Sequence, residues 1–229
     1  MISRLALLTA VLFASPRIQG AWGVAYPPAD ASVPRPAIVF LHGMWSSPED
    51  ACPTFESAAT PFGFLVCPRG NAPLGEGKMW AGTYADAARN IHAALDAAAS
   101  LAPSGKLDRT GGGTLLGFSN GAYFAAEVAL REPGRWTGLV LLSMKLDLDA
   151  HALQVAGVRR VVLAAGDADE ARSAMQSLAQ RLNTPDVEAR FMSLGAVGHG
   201  FPPDMGQRMC EAIAWVRSAG AAACTAPSR

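Results

Sequence analysis

Residues 113–121 read GTLLGFSNG, and the architecture turns on them. The first six read as a short buried strand. Residues 120–131 have helical character and stop near Pro133. Gly117 to Gly121 match G-x-S-x-G at the point where strand gives way to helix. A serine on such a turn is held in a strained backbone conformation that lifts its Oγ clear of the sheet, while the glycines leave room for close packing. Five letters alone arise by chance. Between a buried strand and a helix, they mark Ser119 as the candidate nucleophile.

The same alternation extends to either side. Upstream, strands are expected at 37–41 (AIVFL) and 63–67 (GFLVC, stopped by Pro68), with a helix over 49–61 between them. Thr83 is placed to cap a further helix, in which Ile91, Ala94, Leu95, Ala98 and Leu101 recur at helical spacing. Downstream, strands at 139–142, 161–165 and 187–194 are interleaved with helices over 170–182 and about 204–219. Residues 24–36, punctuated by Pro27, Pro28, Pro34 and Pro36, read as short edge strands or an extended lead-in. Residues 68–82 (PRGNAPLGEGKMWAG) read as a Gly- and Pro-rich loop. This order predicts an α/β protein with a mostly parallel sheet and helices on both faces. After Leu142 no interval exceeds about twenty residues, so a large lid has nowhere to be inserted.

Composition narrows the function. Half of the 229 residues are hydrophobic and only 17% are charged, which excludes a disordered chain. Nineteen basic residues balance nineteen acidic ones, and with no basic stripe there is no electrostatic footprint for nucleic acid. Arg4 followed by the apolar run from Leu5 to Ala14 reads as an export signal, with Ser15, Pro16, Gly20 and Ala21 as a processing region. That run is about half the ~20 residues a bilayer span needs, so stable membrane insertion of the mature chain is not expected. The expected organisation is a leader over about 1–23, cut somewhere between Ala14 and Ala25, and one catalytic domain over 24–229. Secretion or a periplasmic location follows, and four cysteines suit such an oxidising compartment.

A serine hydroxyl needs a base, and the base needs a carboxylate to hold its tautomer. The chain has four histidines. His199, within Gly198-His-Gly200 after the last strand, is the expected base. His42 ends the first buried strand and is better placed to buttress a loop. His92, on the polar side of an Ala-rich helix, and His151, in a short polar connection, read as solvated surface. The loop after 161–165 supplies the carboxylate from Asp167, Asp169 or Glu170, of which one faces His199 and the others are free to cap the next helix. The backbone N–H groups of Met44 and Asn120 are the expected oxyanion donors, each such donor being worth about 2.7–4 kcal/mol in the transition state. Trp45 and Trp80 are candidates for an aromatic wall at the substrate site.

Together, HGM at 42–44, GFSNG at 117–121, GDAD at 166–169 and GHG at 198–200 resemble the α/β-hydrolase family, in particular its compact carboxylesterase and polyester-depolymerase-like members. The resemblance runs from about Pro36 to the closing helix. It implies hydrolysis of carboxylic esters through an acyl-enzyme, with small-molecule or polymeric ester substrates, no cofactor and no metal. GDAD resembles the family's G-x-x-D acid loop and so favours Asp169 over Asp167. The absence of a lid departs from true lipases. In such a sheet Cys67 and Cys52 come to the same edge, which favours Cys52–Cys67 and leaves Cys210–Cys224; four buried free thiols are the alternative. An amide- or peptide-directed hydrolase and a non-catalytic binding protein on the same scaffold are the competing functions.

Overall fold

Runs rich in apolar residues form the central strands of the sheet, and small or amphipathic segments between them form the helices. The computed structural model describes residues 17–28, 33–101, 107–110, 112–219 and 224. In chain order the elements are β1 (Ile18–Gly20), β2 (Gly23–Tyr26), β3 (Arg35–Leu41), α1 (Pro48–Ala51), α2 (Pro53–Ala59), β4 (Phe64–Pro68), β5 (Ala72–Leu74), β6 (Gly77–Met79) and α3 (Tyr84–Leu101). They continue with β7 (Leu107–Asp108), β8 (Gly113–Phe118), α4 (Asn120–Arg131), β9 (Trp136–Leu142), α5 (Ala150–Ala156), β10 (Arg160–Ala165), α6 (Arg172–Leu182), β11 (Glu188–Ser193) and α7 (Met205–Val216).

The main sheet runs β1-β2-β4-β3-β8-β9-β10-β11, with the short β7 beside the start of β3. From β4 to β11 neighbouring strands are parallel; β2 joins β4 and β1 joins β2 antiparallel. Successive strand residues feed opposite cores although both are apolar. Val39, Leu41, Leu115, Leu139 and Leu163 pack under α3, α4, α5 and α6, while Ile38, Phe40, Leu116, Val140 and Val162 pack under α1, α2 and α7. The β8–α4 junction therefore lies mid-sheet with helices on both sides, at the carboxyl ends of the parallel strands where α/β ligand sites form.

Cysteines pair as Cys52–Cys67 and Cys210–Cys224, with Cα separations of 6.0 and 5.6 Å. The first ties the α1–α2 junction to β4, and the second brings Cys224 back to α7.

Several elements differ from their sequence expectation. The helix over 49–61 is two helices, because Pro53 has no N–H to continue the first and starts the second instead. Residues 68–82 hold an antiparallel hairpin, β5–β6, attached to the chain at Ser46 through a bridge to Lys78. Residues 150–156 are a helix, capped by Asp149, which accepts the N–H of Ala152 at 2.8 Å, and ended by Gly157 in the left-handed region. His151 thus sits on a helix rather than in a connection. At the start of α3 the capping runs in reverse: the N–H and hydroxyl of Thr83 both donate to the Asp86 carboxylate. Most of the expected leader, residues 1–16, lies outside the described residues. Ile18–Gly20 are already a strand, so a leader reaching to 23 overlaps the sheet.

Candidate active site

The turn that carries Ser119 is built by crowding. Ser119 has φ 53° and ψ −122°, outside the common regions for a residue with a side chain. Its N–H donates to the Leu142 carbonyl at 2.9 Å and its carbonyl accepts from Ala122, which anchors the strained residue on both sides. A Cβ on Gly117 would lie 2.4 Å from the Gly121 carbonyl oxygen, and one on Gly121 would lie 2.1 Å from the Leu41 carbonyl oxygen. Only residues lacking Cβ fit, and this lets α4 start directly under the hydroxyl.

His199, from the loop after β11, places Nε2 3.0 Å from Ser119 Oγ. Its Nδ1 lies 3.2 Å from Asp169 Oδ2. The carboxylate partner sets the proton on Nδ1, which leaves Nε2 as an acceptor for the serine O–H. The Phe118 ring packs on the imidazole with centroids 5.0 Å apart, and Phe201 closes on Phe118 edge-on.

Asp169 is 8% exposed, in the loop between β10 and α6. Burial pushes its carboxyl up, but the Ala171 N–H, the Ser143 hydroxyl and His199 pull it down, and the net position is below the usual carboxylate value. Ala171 N–H donates to Oδ1 at 2.8 Å, so one oxygen is held by backbone and the other faces the imidazole. Asp167 points elsewhere: its Oδ1 accepts from Ser193 Oγ at 2.6 Å and from Arg172 Nε at 3.1 Å. Glu170 is exposed and 3.8 Å from Lys145.

Met44 and Asn120 flank the serine from the β3 turn and the first residue of α4. Among the described residues, neither N–H has a protein acceptor. At Asn120 the positive end of the α4 dipole adds to the donor.

A network that the sequence did not disclose braces this edge. Trp80 N–H donates to Asn120 Oδ1 at 2.8 Å, and Trp80 Nε1 donates to the His42 carbonyl at 3.1 Å. His42 Nδ1 donates to the Gly43 carbonyl at 2.8 Å, and Nε2 accepts the Gly70 N–H at 3.1 Å. Burial lowers the His42 pKa, consistent with a neutral ring holding the 68–82 loop. The loop role expected for His42 was legible in its position; its partners were not. A second unread residue is Ser143, at the end of β9 with φ 54° and 1% exposed, whose hydroxyl is buried near Asp169.

Trp80 requires a correction as a substrate-wall residue. It is 0% exposed, because hairpin β5–β6 turns it inward against His42, and no ring face is open to a ligand. Trp45 is 69% exposed at φ 57° beside Met44. His92 is also not simply solvated: it is partly buried and its Nε2 lies 2.6 Å from Glu132 Oε1, which ties α3 to α4. His151 is exposed. Among the described residues no group of three His, Cys, Asp or Glu side chains is placed to hold a metal ion.

The chain has the α/β-hydrolase fold, and the hydroxyl, imidazole and carboxylate that it joins are those of a serine-type hydrolase. Solved structures agree on the fold. A carboxylesterase from Mesorhizobium loti is 26% identical, with 79% of this chain and 88% of that one covered at a TM-score of 0.58. The Bacillus cereus carboxylesterase is 19% identical over 86% of this chain and 93% of its own, with a TM-score of 0.61. FphF, a fluorophosphonate-binding serine hydrolase of Staphylococcus aureus, is 16% identical over 85% and 91%, with a TM-score of 0.63. No protein-family model and no curated protein matches the chain.

Proposed function

We propose that this protein is an exported esterase that cleaves carboxylic esters through an acyl-enzyme on Ser119. The observation that carries the reading is the row Ser119 Oγ, His199 ring, Asp169 carboxylate, joined at 3.0 and 3.2 Å. His199 Nε2 takes the Ser119 proton as Oγ bonds to the ester carbonyl carbon. The carbonyl oxygen becomes an oxyanion, held by the Met44 and Asn120 N–H groups. Collapse breaks the carbonyl–alkoxy bond, and the alcohol leaves with the proton from His199. Water then loses a proton to the same nitrogen as it attacks the acyl carbon, and the acid departs as Ser119 recovers its proton. Throughout, Asp169 orients the imidazole and stabilises its charged form. No step calls on a cofactor.

The complete row argues against a binding protein that has lost catalysis. The carboxylesterase likenesses support esters over amides, and the open edge beside exposed Trp45 suits a small ester or the surface of a polymeric one. Two disulfides favour an oxidising compartment, and among the described residues no helix is long and apolar enough to cross a membrane. The proposed cleavage lies ahead of Ile18, between Ala14 and Arg17, because a later cut removes β1 from the sheet.

Ser119→Ala is expected to abolish turnover of p-nitrophenyl acetate and labelling by a fluorophosphonate. Retained turnover overturns the assignment, and faster hydrolysis of peptides than of any ester in a panel moves it to amide substrates.

A further inference from the structure

We infer that a second binding site, for a phosphate-type oxyanion, lies at the opposite end of the sheet from Ser119. A recess of about 170 Å³ opens there between the starts of β9 and β10 and the end of α7. Arg159, Arg160, Arg217, Thr137 and Ser218 line it, and among the described residues no carboxylate does.

The three guanidinium groups are held differently. Arg160 is committed: Nε and Nη2 donate to Glu188 Oε1 at 3.0 and 2.8 Å, and Nη1 donates to the Trp215 carbonyl at 3.0 Å and to Ser218 Oγ at 2.6 Å. Arg217 is partly buried and tethered by Nη1 alone, to the Gly112 carbonyl at 3.3 Å and Thr114 Oγ1 at 3.2 Å. Among the described residues, no carboxylate comes within ion-pair distance of Arg217 or Arg159. Burial alone shifts the Arg217 pKa, downward, with no opposing charge to offset it.

A partly buried guanidinium without a counter-ion is unfavourable, since desolvation is not repaid by a partner. The remaining donors of Arg217, the exposed Arg159 and the Ser218 hydroxyl, whose oxygen already accepts from Arg160, converge on one space. Ser218, at φ 55°, is the left-handed residue that ends α7, with its N–H donating to the Trp215 carbonyl and the Ala219 N–H donating to the Ala214 carbonyl. Forked N–H donors around an acid-free cup match a tetrahedral dianion, which guanidinium groups bind in pairs of parallel bonds. The six residues of β8 put this cup about 20 Å from Ser119 at ~3.3 Å per residue, so its occupancy is independent of ester chemistry.

The test is calorimetric titration of the purified protein, at constant ionic strength in chloride buffer, with inorganic phosphate in one arm and phenyl phosphate in the other. Saturable binding of either is expected, and binding of phenyl phosphate assigns the cup to phosphomonoesters rather than to free phosphate. Arg217→Met and Arg159→Ala are each expected to weaken binding about tenfold or more, the loss of a charged hydrogen bond. Arg159 is exposed and, among the described residues, its side chain has no bonded partner, so its variant keeps the fold. Turnover of p-nitrophenyl acetate stays unchanged in both. No binding in either arm, or equal binding by Arg159→Ala and the parent, overturns the inference.

Discussion

The backbone N–H of Trp80 donates to the side-chain oxygen of Asn120 at 2.8 Å, which joins the 68–82 loop to the residue whose own N–H is proposed as an oxyanion donor. With that bond gone, the first turn of α4 keeps its place in the helix but loses its lateral brace. Asn120→Ala should therefore fold normally and lower kcat by about 10- to 100-fold with KM little changed. The lower figure is the loss of one hydrogen bond and the upper approaches removal of an oxyanion donor. Steady-state kinetics on p-nitrophenyl acetate decides, and a change confined to KM would contradict the bracing role.

The two aspartates of the acid loop should separate by orders of magnitude. Asp169→Asn leaves His199 without the partner that sets its tautomer, and kcat should fall by about 10⁴. Asp167→Asn loses exposed contacts to Ser193 and Arg172, and activity should stay within about twofold of the parent. The opposite ranking would assign the carboxylate role to Asp167.

The tryptophans divide likewise. Trp80→Ala empties a site in the core and should cost about 3–5 kcal/mol of stability, measured by denaturant unfolding. Trp45→Ala, at an exposed position, should leave stability within about 0.5 kcal/mol and raise KM for bulky esters. An unchanged KM across an ester panel would remove Trp45 from the substrate site.

His42 gives stability a pH dependence of known sign. Burial lowers its pKa in the fold, the Gly43 carbonyl opposes that shift, and Arg69 adds to it, so the folded state binds this proton less readily than the unfolded chain. Stability from the neutral ring is present above about 6.5 and is lost as pH falls below that value. Denaturant midpoints between pH 7.5 and 5 should decline, and His42→Gln should flatten the decline in that window. An equal slope in parent and variant would place the titration elsewhere.

Much of the fold was legible from local pattern. Short, mostly apolar runs at 37–41, 113–118 and 161–165, bounded by turn residues, fit a strand buried on both faces, and G-x-S-x-G between strand and helix identifies the strained turn because its geometry is set by neighbours in the chain. Where elements were missed, local signals were weak: Asp149 and Gly157 bracket α5 with just two turns between them, and β5–β6 has strands of three residues. The resemblance of GDAD to an acid loop favoured Asp169, but its contact with His199, the inward turn of Trp80, the buried hydroxyl of Ser143 and the uncompensated Arg217 belonged to the tertiary structure alone. Asp167 and Asp169 are two residues apart and chemically identical; what distinguishes them physically is which side chain arrives from 30 residues downstream. Contacts of that kind depend on how strands are ordered in space, and no window of sequence contains both partners.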